Sequence, residues 1–412
     1  MLLALLALLN APHTFTVTLE AGKLDRRSEV VRIPVLAPAG QTFHATLTGP
    51  GGKLFKGPVA LLSPGLLSRD EKPPEGLQRL EVWMILDRLD AGASATFELT
   101  LHEGDALAAG PLLGWKKEPG SMTLSRTRGK EQTPLIRYEM PRLDESSPKA
   151  REETYKPFHH VYGPDGVLLS KGPGGKYTHH RGLFYGFMKA SFGKEAVDVW
   201  HCKGQAHQAH RKVLDETRVN SVAGRHRVAI DWNAAPGKTF ASEERELTAV
   251  PLPEGMLIDF ASRLTTKGGA VTLDGDPQHA GFHFRASNEV AEKTEKETYF
   301  VRPSGVGKKG VEVNWPKEPK HANLPWLAMS FVVGGQRYTV AYLDHPSNPR
   351  EARYSERAYG RFGSYFVKTV KPDEPLTVRY RVWVTRGEMQ PEEVASLSAA
   401  FVNPVKVTVK AK

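Results

Sequence analysis

The chain has 412 residues, 40% hydrophobic and 25% charged, with a formal net charge of +10. That length accommodates two domains or one large β domain with an appendage, and the balance is that of an ordinary folded protein. One cysteine, Cys202, excludes an intramolecular disulfide and any multi-cysteine metal site. Lys and Arg are scattered rather than blocked, and no zinc-finger, RRM or KH pattern occurs, so no nucleic-acid partner is expected.

Residues 1–9 are wholly apolar and Asn10-Ala11 follow as small or polar residues. We read 1–11 as a shortened signal peptide and expect a periplasmic or secreted protein, although the basic n-region is missing. No other stretch approaches the ~18 apolar residues of a membrane span. The 38 glycines and 30 prolines call for many turns and disfavour long helices. The expected fold is all-β: a large antiparallel β supersandwich behind a small N-terminal β-sandwich domain.

Residues 12–104 form the expected small domain. Strands alternate in His13–Leu19, Phe43–Thr48 and Ala95–Leu101, with turn clusters such as Gly49-Pro50-Gly51-Gly52 between them. Residues 105–120, with Gly110, Pro111, Gly114 and Pro119, read as a linker. The large domain, 121–412, repeats short strands such as His226–Trp232, Met256–Phe260, Trp326–Val333 and Leu376–Val384. Gly334-Gly335 marks a hairpin. Near the end, Pro391, Glu392 and Glu393 start a helix whose Val394, Leu397 and Phe401 share a face.

Two segments carry unusual chemistry. Asp276-Pro-Gln-His-Ala-Gly-Phe-His-Phe-Arg285, taken as a strand, places His279, Gly281, His283 and Arg285 on one face and Phe282 and Phe284 on the other. His279 and His283 would stand ~13 Å apart, too far for one zinc but suited to flanking a sugar-sized ligand, with Gly281 leaving room for it. Thr178-His-His-Arg-Gly-Leu-Phe-Tyr-Gly186 has a similar character. Strand alternation separates His179 from His180, so both face one site only if the chain bends at 178–181; His180 is taken as the inward member. His201, His207 and His210 form no compact metal motif. Histidine titrates near neutrality and serves as general acid or base, while arginine stabilises developing negative charge.

With Asp198-Val-Trp200 and Asp344-His-Pro-Ser-Asn-Pro349, these motifs resemble a bacterial family that carries the name methane oxygenase PmoA-like, a domain of unknown function. The resemblance covers roughly 130–388 and has the look of galactose-mutarotase-like supersandwich proteins, which implies a concave β face that binds sugars with His and Arg side chains. The borrowed name does not fit, since the methane monooxygenase subunit is a membrane protein and no spanning helix is expected in this chain.

The expectation is an exported protein acting by acid–base chemistry on a sugar or sugar derivative: hydrolysis, elimination or epimerisation. His180, His279 and His283 are the candidate catalytic residues. His179, Arg181, Trp200, Arg285, Asp344, His345 and Asn348 are candidates for substrate binding, with Trp200 stacking on the sugar. No cofactor or metal is expected. The alternatives are a non-catalytic glycan-binding protein and a metal-dependent oxygenase or lyase.

Overall fold

The computed structural model describes residues 13–52, 55, 57–105, 111–217 and 219–412. The segment 1–11, read as a signal peptide, lies outside them. Strands make up 55% of the protein and helices 8%, and the large sheets are antiparallel, so the fold is an all-β sandwich. No helix among the described residues is long and apolar enough to cross a membrane.

The chain divides into two compact units. The first comprises residues up to Leu113 together with 217–223 and 402–412; the second comprises 114–216 and 224–401. This differs from the sequence reading in two places. Leu112–Glu118, inside the expected linker, is a strand beside Ser121–Arg128. The final strand, Lys406–Ala411, pairs antiparallel with His13–Glu20 and so completes the first unit. Local alternation identifies a strand but not the sheet edge it closes.

In the first unit a four-stranded sheet (Lys406–Ala411, His13–Glu20, Ser94–Glu103, Phe43–Thr48) accompanies a three-stranded one (Arg26–Pro38, Leu77–Leu89, Val59–Leu62). Alternate residues of each strand point inward, and Val17, Leu19, Ile33, Val82, Met84 and Leu99 form one apolar core.

The second unit is built on a nine-stranded and an eight-stranded sheet. The eight-stranded sheet runs Arg353–Arg357, Arg361–Tyr365, Ala280–Arg285, Leu183–Phe187, Phe158–Val161, Glu131–Glu139, Ser121–Arg128, Leu112–Glu118. Aromatic side chains lock it face to face with the nine-stranded sheet. Phe282 stacks on Phe260 at 4.2 Å and on Tyr380 at 4.9 Å, and Tyr185 meets Trp232 at 5.8 Å. Gly334 and Gly335, both with positive φ, turn Trp326–Val333 into Gln336–Asp344. The C-terminal helix spans Pro391–Val402.

Because Phe282 and Phe284 fill the interior, His283 and Arg285 stand on the opposite, outer face of the eight-stranded sheet. Gly281 has a different role from the one expected. Its φ is +89°, and a Cβ there would sit 2.0 Å from the Ser364 carbonyl oxygen, so glycine is needed for the close approach of strand Arg361–Tyr365 rather than for ligand space.

The space between the sheets also holds polar groups. His159 Nε2 and His226 Nε2 are 2.9 Å apart, one donating and one accepting, and both rings are fully buried. Burial pushes the pKa of His159 far down, with His226 adding to the effect, and burial lowers His226 to about 3. The sign follows from linkage. Unfolding frees both rings to bind protons below their ordinary pKa of about 6.5, so the unfolded state takes up more protons there and stability falls as pH falls. We expect the unfolding free energy from urea titration to hold above about pH 6.5 and to drop toward pH 5 by more than ~1.4 kcal/mol per pH unit, with the midpoint falling in step, since more than one histidine contributes. A flat midpoint between pH 7 and 5 would contradict neutral burial of this pair.

Candidate metal centre

The outer face beyond His283 is covered by three turns, and each delivers histidine. Two of them repeat one local design, Asp-x-x-His. Asp198 Oδ1 accepts from the backbone N–H groups of Trp200 and His201, and its Oδ2 accepts from His201 Nδ1 at 2.8 Å. Asp276 Oδ1 accepts from the N–H groups of Gln278 and His279, and His279 Nδ1 lies 3.0 Å from Oδ2. A carboxylate only accepts, so Nδ1 carries a proton in both rings, the tautomer in which Nε2 of a neutral imidazole is the ligating nitrogen. Burial alone would raise the Asp276 pKa, but the hydrogen bond from His279 and the backbone N–H donors of Gln278 and His279 pull it down to about 2. Asp276 therefore stays ionised.

The third turn, 178–181, precedes strand Leu183–Phe187. Its bend lets both His179 and His180 face the same place, which a regular strand would forbid. The ring centroids of His179 lie 4.3 Å from His180, 4.6 Å from His201 and 5.5 Å from His279. His201 and His279 are 4.6 Å apart. One nitrogen from each of His179, His180 and His279 falls within 4.8 Å of the others. Both ring nitrogens of His180 and the Nε2 of His179 are buried without a hydrogen-bond partner.

Orphaned buried nitrogens are costly unless something binds them. Tetrahedral zinc, with bonds of about 2.0–2.1 Å, needs nitrogens roughly 3.4 Å apart, so the nitrogen separations would have to shorten by up to ~1.4 Å. Burial, then Lys156 and the neighbouring imidazoles, lowers His179 to about 2; burial and His179 hold His180 well below the ordinary range. Both are neutral, the form that ligates a metal.

Residues 128–399, more than half the chain and every residue of this cluster, match a family of unknown function, DUF6807. The chain belongs to that family. No curated protein matches it. The DUF6807 match extends over the whole histidine centre but supplies neither a substrate nor a reaction.

Several candidates in this DUF6807 protein sit differently from expectation. His279 lies in the turn before Ala280–Arg285, so it leaves His283 and joins His179 and His180. His283 Nδ1 accepts from Arg361 Nη1 at 3.0 Å, and its ring packs 4.9 Å from Trp200. Trp200 is no exposed stacking platform: it is 2% exposed and packs with Phe158 and Phe184 beneath the cluster. Arg181 donates to the backbone carbonyls of Thr178, His180 and Glu152, so it pins the histidine turn from behind.

The motif at 344–349 is a separate polar knot. Asp344 accepts from Asn348, from Arg350 at 2.7 Å and from Tyr354, while His345 meets Ser347, Arg379 and Phe401. These contacts make Asp344, His345 and Asn348 a local brace for the turn. His207 and His210 bond Gln205 O and Tyr138 OH and do not join His201. Cys202 is buried and its thiol is pushed up to about 11 by burial, which makes it a poor nucleophile.

The sequence reading missed Asp198, Asp276, His201, Lys156 and Arg361. Lys156 is buried, donates to Trp200 O, and is lowered to about 7 by burial. The repeated Asp-x-x-His pattern was the signal that could have found the first three.

Proposed function

We propose that this protein is a metal-dependent enzyme acting on a sugar or sugar derivative, with a divalent transition metal held by His179, His180 and His279. The observation that carries the proposal is the convergence of three imidazoles: His179 and His180, whose buried nitrogens have no other partner, and His279, oriented by a carboxylate. Three-histidine sites leave a coordination position open for water or substrate, and a metal there supplies Lewis-acid chemistry.

His201 stands beside this group. With Nδ1 fixed on Asp198, it presents Nε2 for proton transfer. This replaces the acid–base roles expected of His180 and His283, whose burial makes them weak bases. The sugar part of the proposal rests on the mutarotase-like resemblance and on a cleft of about 580 Å³ lined by Pro277, Gln278, Trp315, Ser355 and Arg357, two of which belong to the Asp276–His279 turn. Elimination, epimerisation and hydrolysis all suit a Lewis acid beside an imidazole base.

Metal analysis of protein purified without an affinity tag tests the assignment. About one equivalent of zinc, iron, manganese, cobalt or nickel per chain is expected, as is a visible cobalt spectrum after exchange. Protein that stays metal-free after incubation with each of these ions refutes it.

A further inference from the structure

We infer that the substrate of the histidine centre carries a carboxylate, held by the free edge of Arg285. The inference rests on the proposed function and names the substrate charge that it leaves open. Arg285 is 1% exposed, on the same sheet face as His283. Its Nη1 donates to the carbonyls of Ala286 and Tyr359, but Nε and Nη2 are buried with no partner. Those two nitrogens form the side of the guanidinium that grips a carboxylate with two parallel hydrogen bonds.

The same protein shows how it fills that edge elsewhere. Arg245 gives Nε and Nη2 to the two oxygens of Glu243, both at 2.8 Å. Arg381 gives them to Asp259 at 2.7 and 3.1 Å, and Arg302 gives them to Glu356. Arg285 alone of these four lacks its carboxylate among the described residues.

The position suits a ligand that also reaches the histidines. The Arg285 guanidinium lies 4.9 Å over the Tyr359 ring, and that ring is 6.1 Å from His180 and 4.4 Å from Tyr177. Buried Lys171 and Arg361 share the neighbourhood, and two nearby carboxylates are paired elsewhere: Asp276 with His279, and Glu295 with Lys176 at 3.6 Å. Burial, with Tyr359 opposing it and the neighbouring Arg361 charge adding to it, lowers Arg285 to about 10, and it remains a cation. A buried cation of this kind is stabilised by an anion that arrives with planar geometry. A sugar acid, uronic or aldonic, supplies the carboxylate beside hydroxyls that reach the metal position.

Calorimetric titration of the full chain with D-glucuronate, D-galacturonate and D-gluconate, against D-glucose, D-galactose, D-glucitol and glucose 6-phosphate, tests this. At least one acid is expected to bind about tenfold or more tighter than its neutral counterpart. Arg285→Gln should erase the preference, and Arg285→Lys, which keeps charge without the fork, should retain part of it. Equal binding of acids and neutral sugars, preference only for the phosphate ester, or an unaltered preference in folded Arg285→Gln each overturns the inference. Metal content measured on the same samples separates the two ideas. A metal-loaded protein without acid preference sinks this inference alone, and acid preference in a protein that takes up no metal sinks the metal proposal alone.

Discussion

Replacing His180 with alanine is expected to strip the chain of its metal and take turnover to background, while Asp276→Asn weakens metal affinity by only about 10–100-fold. The difference follows from what each residue contributes. His180 has two buried ring nitrogens with no other use, and one of them lies within 4.8 Å of nitrogens on His179 and His279. Alanine removes that donor and leaves two histidines, too few to hold a divalent ion against water. Asp276 touches no metal; it fixes the ring and tautomer of His279. Asparagine there can still accept through oxygen but has lost its charge, so the ligand is looser and less basic. His201→Ala should leave metal content near wild type and lower turnover, because His201 stands outside the three-nitrogen group and offers a base rather than a ligand. Elemental analysis and a cobalt spectrum on the three variants decide the matter. Equal metal in His180→Ala and wild type would remove His180 from the ligand set.

The strands were legible because apolar and polar side chains alternate along them, although both faces of Ala280–Arg285 are buried. Phe282 and Phe284 alternate with His283 and Arg285 as the sequence requires, and the Phe side chains do fill the space between sheets. The convergence of histidines was not legible from that rule, because none of His179, His180, His201 and His279 lies on a strand. Turn residues obey hydrogen bonds to nearby side chains, and here Asp198 and Asp276 make those bonds three residues upstream. Counting strand faces therefore split His179 from His180 and tied His279 to the wrong partner. The misplacement of His345 has the same origin. Its motif is rich in proline and short polar residues, which is equally the composition of a stiff turn, and the buried Asp344 network uses it that way. The last strand was assigned to the wrong unit because pairing between residues as distant as Glu20 and Lys406 leaves no mark in a local window.

Glu243→Ala is expected to lower the unfolding free energy of the second unit by about 3–5 kcal/mol, the largest loss of stability we predict for one side chain. Glu243 and Arg245 are two apart on strand Lys238–Leu252, so both point between the sheets, and the side chains of both are wholly buried. The carboxylate takes two hydrogen bonds from Arg245 and a third from Trp232 Nε1 at 3.0 Å. Alanine would strand the Arg245 cation beside Tyr138, Tyr185 and Phe260, where water cannot reach it, and would orphan the indole N–H as well. Removing both charges together should cost much less than the two single losses combined, because a paired apolar replacement leaves no uncompensated ion. A double-mutant cycle of Glu243→Leu and Arg245→Met, read by urea denaturation at pH 7.5, measures this coupling. Additive losses would mean that the pair does not act as a unit. With coupling present and metal content unchanged in Glu243→Leu, the ion pair between the sheets is a structural device, independent of the histidine centre on the outer face.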